Sequence, residues 1–161
     1  MESMTVTLQC SSTPLEHSNR KTANEVLLDS CVWVYIMKGL VPSKVLGILR
    51  NPLITVIVEE NIVTEVARVL QTSTSSVKER MMETQFQIRY HTATQVDKNV
   101  SWDLVELHNV SHFPDSLYLA TCKANNWVLV TCDRDLLNCC QLESVRGCLP
   151  SNLKIQGVET A

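Results

Sequence analysis

Glycine is scarce in this chain, with 4 among 161 residues. Gly39, Gly47, Gly147 and Gly157 leave no glycine-rich turn after the first apolar run, so a nucleotide-binding phosphate loop is excluded. A phosphatase with two aspartates around one residue after its first strand is excluded too, because the residues there are Asp29-Ser30-Cys31. Positive charge is also short. The net charge is −3, which gives no overall electrostatic footprint for coating nucleic acid. It leaves a nuclease open, since a carboxylate-rich site is itself acidic and bound metal would reverse its sign. No apolar run approaches the ~18 residues of a membrane-spanning helix. Met1 to Ala23 is polar, with no basic region leading into an apolar stretch, so no secretory signal is expected and the location is expected to be cytoplasmic. Aromatic residues make up only 5%, so the core must rest on Val, Leu and Ile, which favours buried parallel strands. The cysteines are odd in number, at 10, 31, 122, 132, 139, 140 and 148, with no CxxC and no zinc-finger spacing. They are expected to be mostly small buried hydrophobes, with a disulfide among the last four as the alternative.

Hydrophobic residues at 45% and charged residues at 19% fit one packed globular domain. Residues 1–24 read as a polar, flexible or loosely docked extension, and residues 25–161 as the domain. Val26-Leu27-Leu28 predicts a strand, and the Asp29-Ser30 break predicts a cap for a helix over Cys31 to Met37. A short helix is predicted over 42–49 and a β-branched strand over 53–58. Glu60 to Leu70 has helical spacing, with Ile62, Val63, Val66, Val69 and Leu70 on one stripe. Val77 to His91 predicts a further helix, with Met81, Met82, Phe86 and Ile88 as partial core, and Val105 and Leu107 suggest a short strand in a stretch that is otherwise hard to read. Pro114-Asp115 opens a helix running to Asn125-Asn126. Trp127 to Thr131 predicts a strand, Asp135-Leu136-Leu137 a short helix and Leu153 to Val158 a terminal strand. Strands alternating with helices predict a doubly wound parallel sheet.

In such sheets ligands bind beyond the carboxyl ends of the strands. Asp29 and Asp133 follow two predicted strands, Asp115 starts a predicted helix, and Glu65 lies in the helix after the 53–58 strand. Taken singly, each has a plain structural use: a helix cap for Asp29, a dipole partner for Asp115, a turn residue for Asp133 and a solvated helix position for Glu65. Taken together, crowded carboxylates repel, and a hard divalent cation such as Mg²⁺ or Mn²⁺ would relieve that repulsion. Such a metal can activate water against a phosphodiester.

Four segments in order carry a resemblance to the PIN domain family, across roughly residues 25–158. They are Val26-Leu27-Leu28-Asp29-Ser30, the helix Glu60 to Leu70 with Glu65, His112-Phe113-Pro114-Asp115-Ser116-Leu117-Tyr118-Leu119-Ala120, and Val128-Leu129-Val130-Thr131-Cys132-Asp133-Arg134-Asp135. The resemblance implies a three-layer α/β/α fold with a central parallel sheet and a Mg²⁺- or Mn²⁺-dependent nuclease acting on RNA. By the same likeness, Asp29, Asp115 and Asp133 would ligate metal, Glu65 would complete the shell, and Ser30, Thr131 and Asp135 would support it. Thr131 would bond a carboxylate or order its loop. Asp135 is either an alternative fourth acid or a helix cap, and His112 either a loop residue or a substrate contact. Small stand-alone members resemble VapC-like toxins, so an antitoxin partner and a homodimer are further implications. Arg68, Lys123 and Arg134 are the candidate RNA contacts. Position 31 is Cys where the family often has Asn or Ser, which would remove a good hydrogen-bonding side chain near the site. A catalytically silent PIN-like module that binds RNA or protein is the alternative function.

Overall fold

A computed structural model describes residues 6–10, 24–108 and 113–157 of the chain. A five-stranded parallel sheet forms the centre, flanked by helices in a three-layer α/β/α arrangement. Its strands are β2 (Glu25–Leu28), β3 (Thr55–Glu59), β4 (Gln87–His91), β5 (Val128–Val130) and β6 (Gly147–Cys148), in the spatial order β4-β3-β2-β5-β6. A separate antiparallel pair joins β1 (Val6–Cys10) to β7 (Leu153–Gly157).

The central strands are apolar at successive positions because both faces of the sheet are covered. Val26, Leu27, Leu28, Val56, Ile57, Val58, Val128 and Leu129 are all fully buried. At about 1.5–3 kcal/mol for each large aliphatic side chain withdrawn from water, these strands form the thermodynamic heart of the domain. In-register parallel pairing sets Val26 beside Val56 on one side and Val128 on the other. The sheet therefore reverses its winding direction between β2 and β5, a crevice-forming point at the carboxyl ends of the strands.

The helices follow from local signals. Asp29 caps α1 (Ser30–Met37) by accepting the Ser30 amide. α2 (Ser43–Leu49) follows Pro42. α3 (Glu60–Leu70) buries Ile62, Val63, Val66 and Ala67, and ends at Gln71 in the left-handed region, φ 53°. Val69, expected on the buried stripe, is 52% exposed, because the buried face of α3 is centred on Ile62, Val63, Val66 and Ala67 and Val69 falls at its edge, while Leu70 still packs against the core. Ser73 caps α4 (Thr74–Glu83), so the Ser/Thr run that interrupts the apolar pattern also starts the next helix.

Three expectations are corrected. The helix predicted to run to His91 stops at Glu83, Gln85 takes φ 67°, and Gln87–His91 forms β4 instead. β4 lies at the edge of the sheet with a largely exposed face, so its sequence carries no apolar run to announce it. Met82, expected as partial core, is 74% exposed for the same reason that α4 presents Val77 and Met81 inward. The strand suggested at Val105 and Leu107 is instead part of α5 (Gln95–His108). A reciprocal cap starts that helix: the Thr94 amide donates to Asp97 Oδ2 at 2.9 Å and the Asp97 amide to Thr94 Oγ1 at 3.1 Å. α6 (Phe113–Asn125) packs against α5, and α7 (Arg134–Leu142) follows β5. Strand β1 falls within the segment expected to be loosely docked, and its partner β7 comes from the far end of the chain.

Candidate active site

Four elements bring acids to the carboxyl end of the sheet. Asp29 leaves β2, Glu65 lies on the second turn of α3, Asp115 sits in the first turn of α6, and Asp133 follows β5. Together with Ser30, Cys31, Arg68, Pro114 and Cys132 these acids line one cavity of about 480 Å³. Asp29 and Asp133 are held by the same device, an acid that ends a strand and caps the next helix. Asp133 Oδ1 accepts the amides of Asp135 at 2.9 Å and Leu136 at 3.3 Å. The strand fixes the backbone and the cap fixes the rotamer.

A hydrogen-bond chain ties the elements together. Thr131 Oγ1 donates to Asp29 Oδ2 at 2.7 Å and accepts the Asp133 amide at 3.0 Å, so one buried hydroxyl sets the spacing of both strand-end acids. Ser30 Oγ donates to Glu65 Oε2 at 2.9 Å, and Tyr118 OH donates to Glu65 Oε1 at 2.6 Å. Both Glu65 oxygens are thus engaged. Tyr118 is fully buried one turn along α6 from Asp115, and its phenol is pushed up by burial and by the Glu65 bond. Sequence reasoning missed Tyr118 as a site residue, although its i+3 spacing from Asp115 puts both on one helix face. It also missed Glu59, a 2% exposed carboxyl that ends β3 and accepts the Asn61 amide at the start of α3.

Electrostatics single out Asp115. Burial, followed by the charges of Asp29, Asp133 and Glu65, raises its carboxyl to about 7. Among the described residues it accepts no hydrogen bond that would favour its charged form. Asp29 is also raised, by burial above all, with Thr131 and Ser30 opposing the shift and the Glu65 charge adding to it.

Cys31 does not leave the gap its residue type implied. Its sulfur lies 3.5 Å from Asp29 Oδ2 and 3.8 Å from Thr131 Oγ1, and accepts the Cys132 amide at 3.4 Å. A thiol thus makes weak versions of the contacts an amide or hydroxyl would make. Of the candidate cations, Arg68 lines the cavity. Arg134 and Asp135 are exposed in the first turn of α7, outside the lining. Lys123 lies toward the other end of α6, paired with Glu143 at 2.9 Å. His112 is outside the described residues.

The donor set suits a hard divalent cation: the acids are oxygen donors, and burial together with their mutual repulsion raises Asp115. Among the described residues no three acidic, Cys or His side chains stand close enough to chelate one ion without adjustment.

A model of the PIN domain matches residues 26–141. The chain belongs to the PIN domain family. PIN domains are generally nucleases, and the matched segment contains all four converging acids. Solved structures share the fold at low identity. VapBC2 from Rickettsia felis, bound to a DNA fragment from its promoter, aligns with TM-score 0.59 and 14% identity over 76% of this chain and 96% of that one. PAE2754 from Pyrobaculum aerophilum gives 0.53 and 15% over 79% and 88%. A toxin–antitoxin complex from Klebsiella pneumoniae gives 0.51 and 16% over 67% and 86%. No curated protein sequence matches the chain. Among the described residues, no helix of this PIN domain is long and apolar enough to cross a membrane.

Proposed function

We propose that this PIN domain is a divalent-metal-dependent endoribonuclease. The observation that carries the reading is the convergence of Asp29, Glu65, Asp115 and Asp133 on one cavity, with Asp115 raised to about 7 by burial and then by its neighbours. Asp29, Asp115 and Asp133 would hold Mg²⁺ or Mn²⁺. When bound, the ion would supply an activated water and neutralise charge on the phosphodiester. Glu65, with both oxygens already accepting hydrogen bonds, acts by holding Ser30 and α6 in place against the cluster. Arg68, the cation in the lining, meets the phosphate of the incoming strand.

One of the similar structures is, by its own description, a toxin–antitoxin complex, and another is VapBC2 bound to a fragment of its promoter. The first likeness supports a toxin role with a protein antitoxin as a finer part of the same proposal, to which we add a homodimeric state.

The test is cleavage of a labelled single-stranded RNA with Mn²⁺ or Mg²⁺, with EDTA and Asp133→Asn as controls and circular dichroism to verify folding. Metal-dependent cutting that both controls abolish supports the nuclease. A folded protein that binds several RNAs and cuts none of them is the silent module instead.

A further inference from the structure

Two cysteines, from opposite motifs, meet at the wall of the acidic cavity. Cys31 stands in the first turn of α1 and Cys132 in the loop between β5 and α7, and both line the cavity beside Asp29 and Asp133. They are 101 residues apart in sequence, yet the Cys31 sulfur accepts the Cys132 amide at 3.4 Å. That nitrogen is three covalent bonds from the Cys132 sulfur. The two cysteine side chains are also close enough to hydrogen-bond to each other, so their sulfurs are neighbours in the cavity wall, the starting point from which a disulfide can close. The other cysteines with described side chains differ. Cys122, Cys139, Cys140 and Cys148 are at most 8% exposed and none lines the cavity, whereas Cys31 and Cys132 are both partly exposed and line it.

We propose that Cys31 and Cys132 form a reversible redox site in the wall of the carboxylate cavity, closing to a disulfide under hydroperoxide. The less buried Cys132 sulfur attacks one oxygen of the peroxide. The O–O bond breaks, and Cys132 becomes a sulfenic acid with release of one water, which carries away the thiol proton. The Cys31 sulfur then attacks the sulfenic sulfur. An S–S bond forms, the S–O bond breaks, and the departing hydroxide takes the Cys31 proton as a second water. Two thiols are oxidised and one peroxide is reduced; an external dithiol reverses the change by exchange.

Closure removes the Cys31 thiol proton that faces Asp29 Oδ2 and ties the loop carrying Asp133 to the turn carrying Asp29. Under the nuclease reading, on which this consequence rests, the oxidised form loses cleavage. The bridge itself is independent of that reading.

The experiment treats the full-length protein with stepwise hydrogen peroxide, blocks remaining thiols, digests without reduction and maps cross-linked peptides by mass spectrometry. Cys31→Ser and Cys132→Ser run alongside. The expected result is a linked peptide joining residues 31 and 132, lighter by two hydrogens, absent from both variants and released by dithiothreitol. RNA cleavage should fall in step with the bridge and return on reduction. Oxidation that stops at sulfinic acid, or a bridge between other cysteines, overturns the proposal. A 31–132 bridge in a protein that cuts no RNA leaves the redox site standing and refutes the nuclease reading alone. The same bridge with undiminished cleavage overturns its control of activity.

Discussion

Replacing Asp115 with Asn should make the metal-free protein more stable while costing it its metal response. Asp115 rises from 3.8 to about 7 because burial and three neighbouring carboxylates disfavour its charge. Between those two pH values the folded chain keeps a proton that the unfolded chain has released, so stability falls as pH rises through this window. The roughly 3-unit shift sets a ceiling of about 4 kcal/mol at ~1.4 kcal/mol per unit. Coupling among the four acids, partial exposure, and the loss of a first-turn acid from the α6 dipole reduce the expected gain to about 1–2 kcal/mol. For a domain of this size that is roughly 2–8 °C in Tm. The assay is thermal unfolding by circular dichroism from pH 5 to pH 9 in EDTA, repeated with Mn²⁺. Asp115→Asn should exceed the parent most above pH 7, and the gap should narrow toward pH 5, where the parent already carries much of its proton. Mn²⁺ should raise the parent's Tm and move the variant's less. A variant no more stable at pH 8, or a gap unchanged by pH, would refute the crowding argument.

Two further outcomes follow from side chains described above. Tyr118→Phe removes the donor to Glu65 Oε1 and leaves a half-buried carboxylate oxygen short of a partner, so it should cost about 0.5–1.5 kcal/mol in denaturant unfolding and lower kcat more than KM. A change confined to KM would place Tyr118 outside the positioning chain. Gly147→Ala sets a new Cβ 2.8 Å from the Cys140 sulfur and 2.9 Å from its Cβ, which forces β6 or α7 to shift. It should destabilise by about 1–3 kcal/mol in urea titration, and the companion change Cys140→Ala should recover part of the loss.

The elements that frame the cavity were the easiest to read from sequence, for a physical reason. β2, β3 and β5 are buried on both faces, so they must be apolar without interruption, and an acid at the end of such a run stands out. Asp29 and Asp133 were visible this way. Elements on the periphery obey weaker rules. β4 has only exposed and half-buried residues, and Met81, Met82 and Phe86 ahead of it mimic helical spacing. The start of α5 was readable in principle, since Thr94 and Asp97 have capping-box spacing, but that pair is not followed by a strong apolar stripe. β1 and β7 could not be paired from local pattern at all, because their partnership spans nearly the whole chain. Tyr118 was hidden by its type: a tyrosine inside an apolar helix reads as core, and only the fold reveals that its hydroxyl reaches Glu65. Lys123 shows the reverse limit, a cation in a promising segment that the turn count of α6 carries away from the acids.

The strand order has a consequence for biosynthesis. β2 is among the early strands of the chain, yet its neighbour on one side is β5, whose Val128 pairs with Val26 across a separation of about a hundred residues. Contacts of such long range form late in folding, because a large loop must close before they can pay back its entropy. A nascent chain halted before Trp127 already contains Asp29, Glu65 and Asp115. It has no strand to lie beside β2 on that side, no Thr131 to hold Asp29, and no Asp133. Placing the final wall of the cavity so far along the chain keeps an unfinished polypeptide from assembling its carboxylate cavity before synthesis is nearly complete.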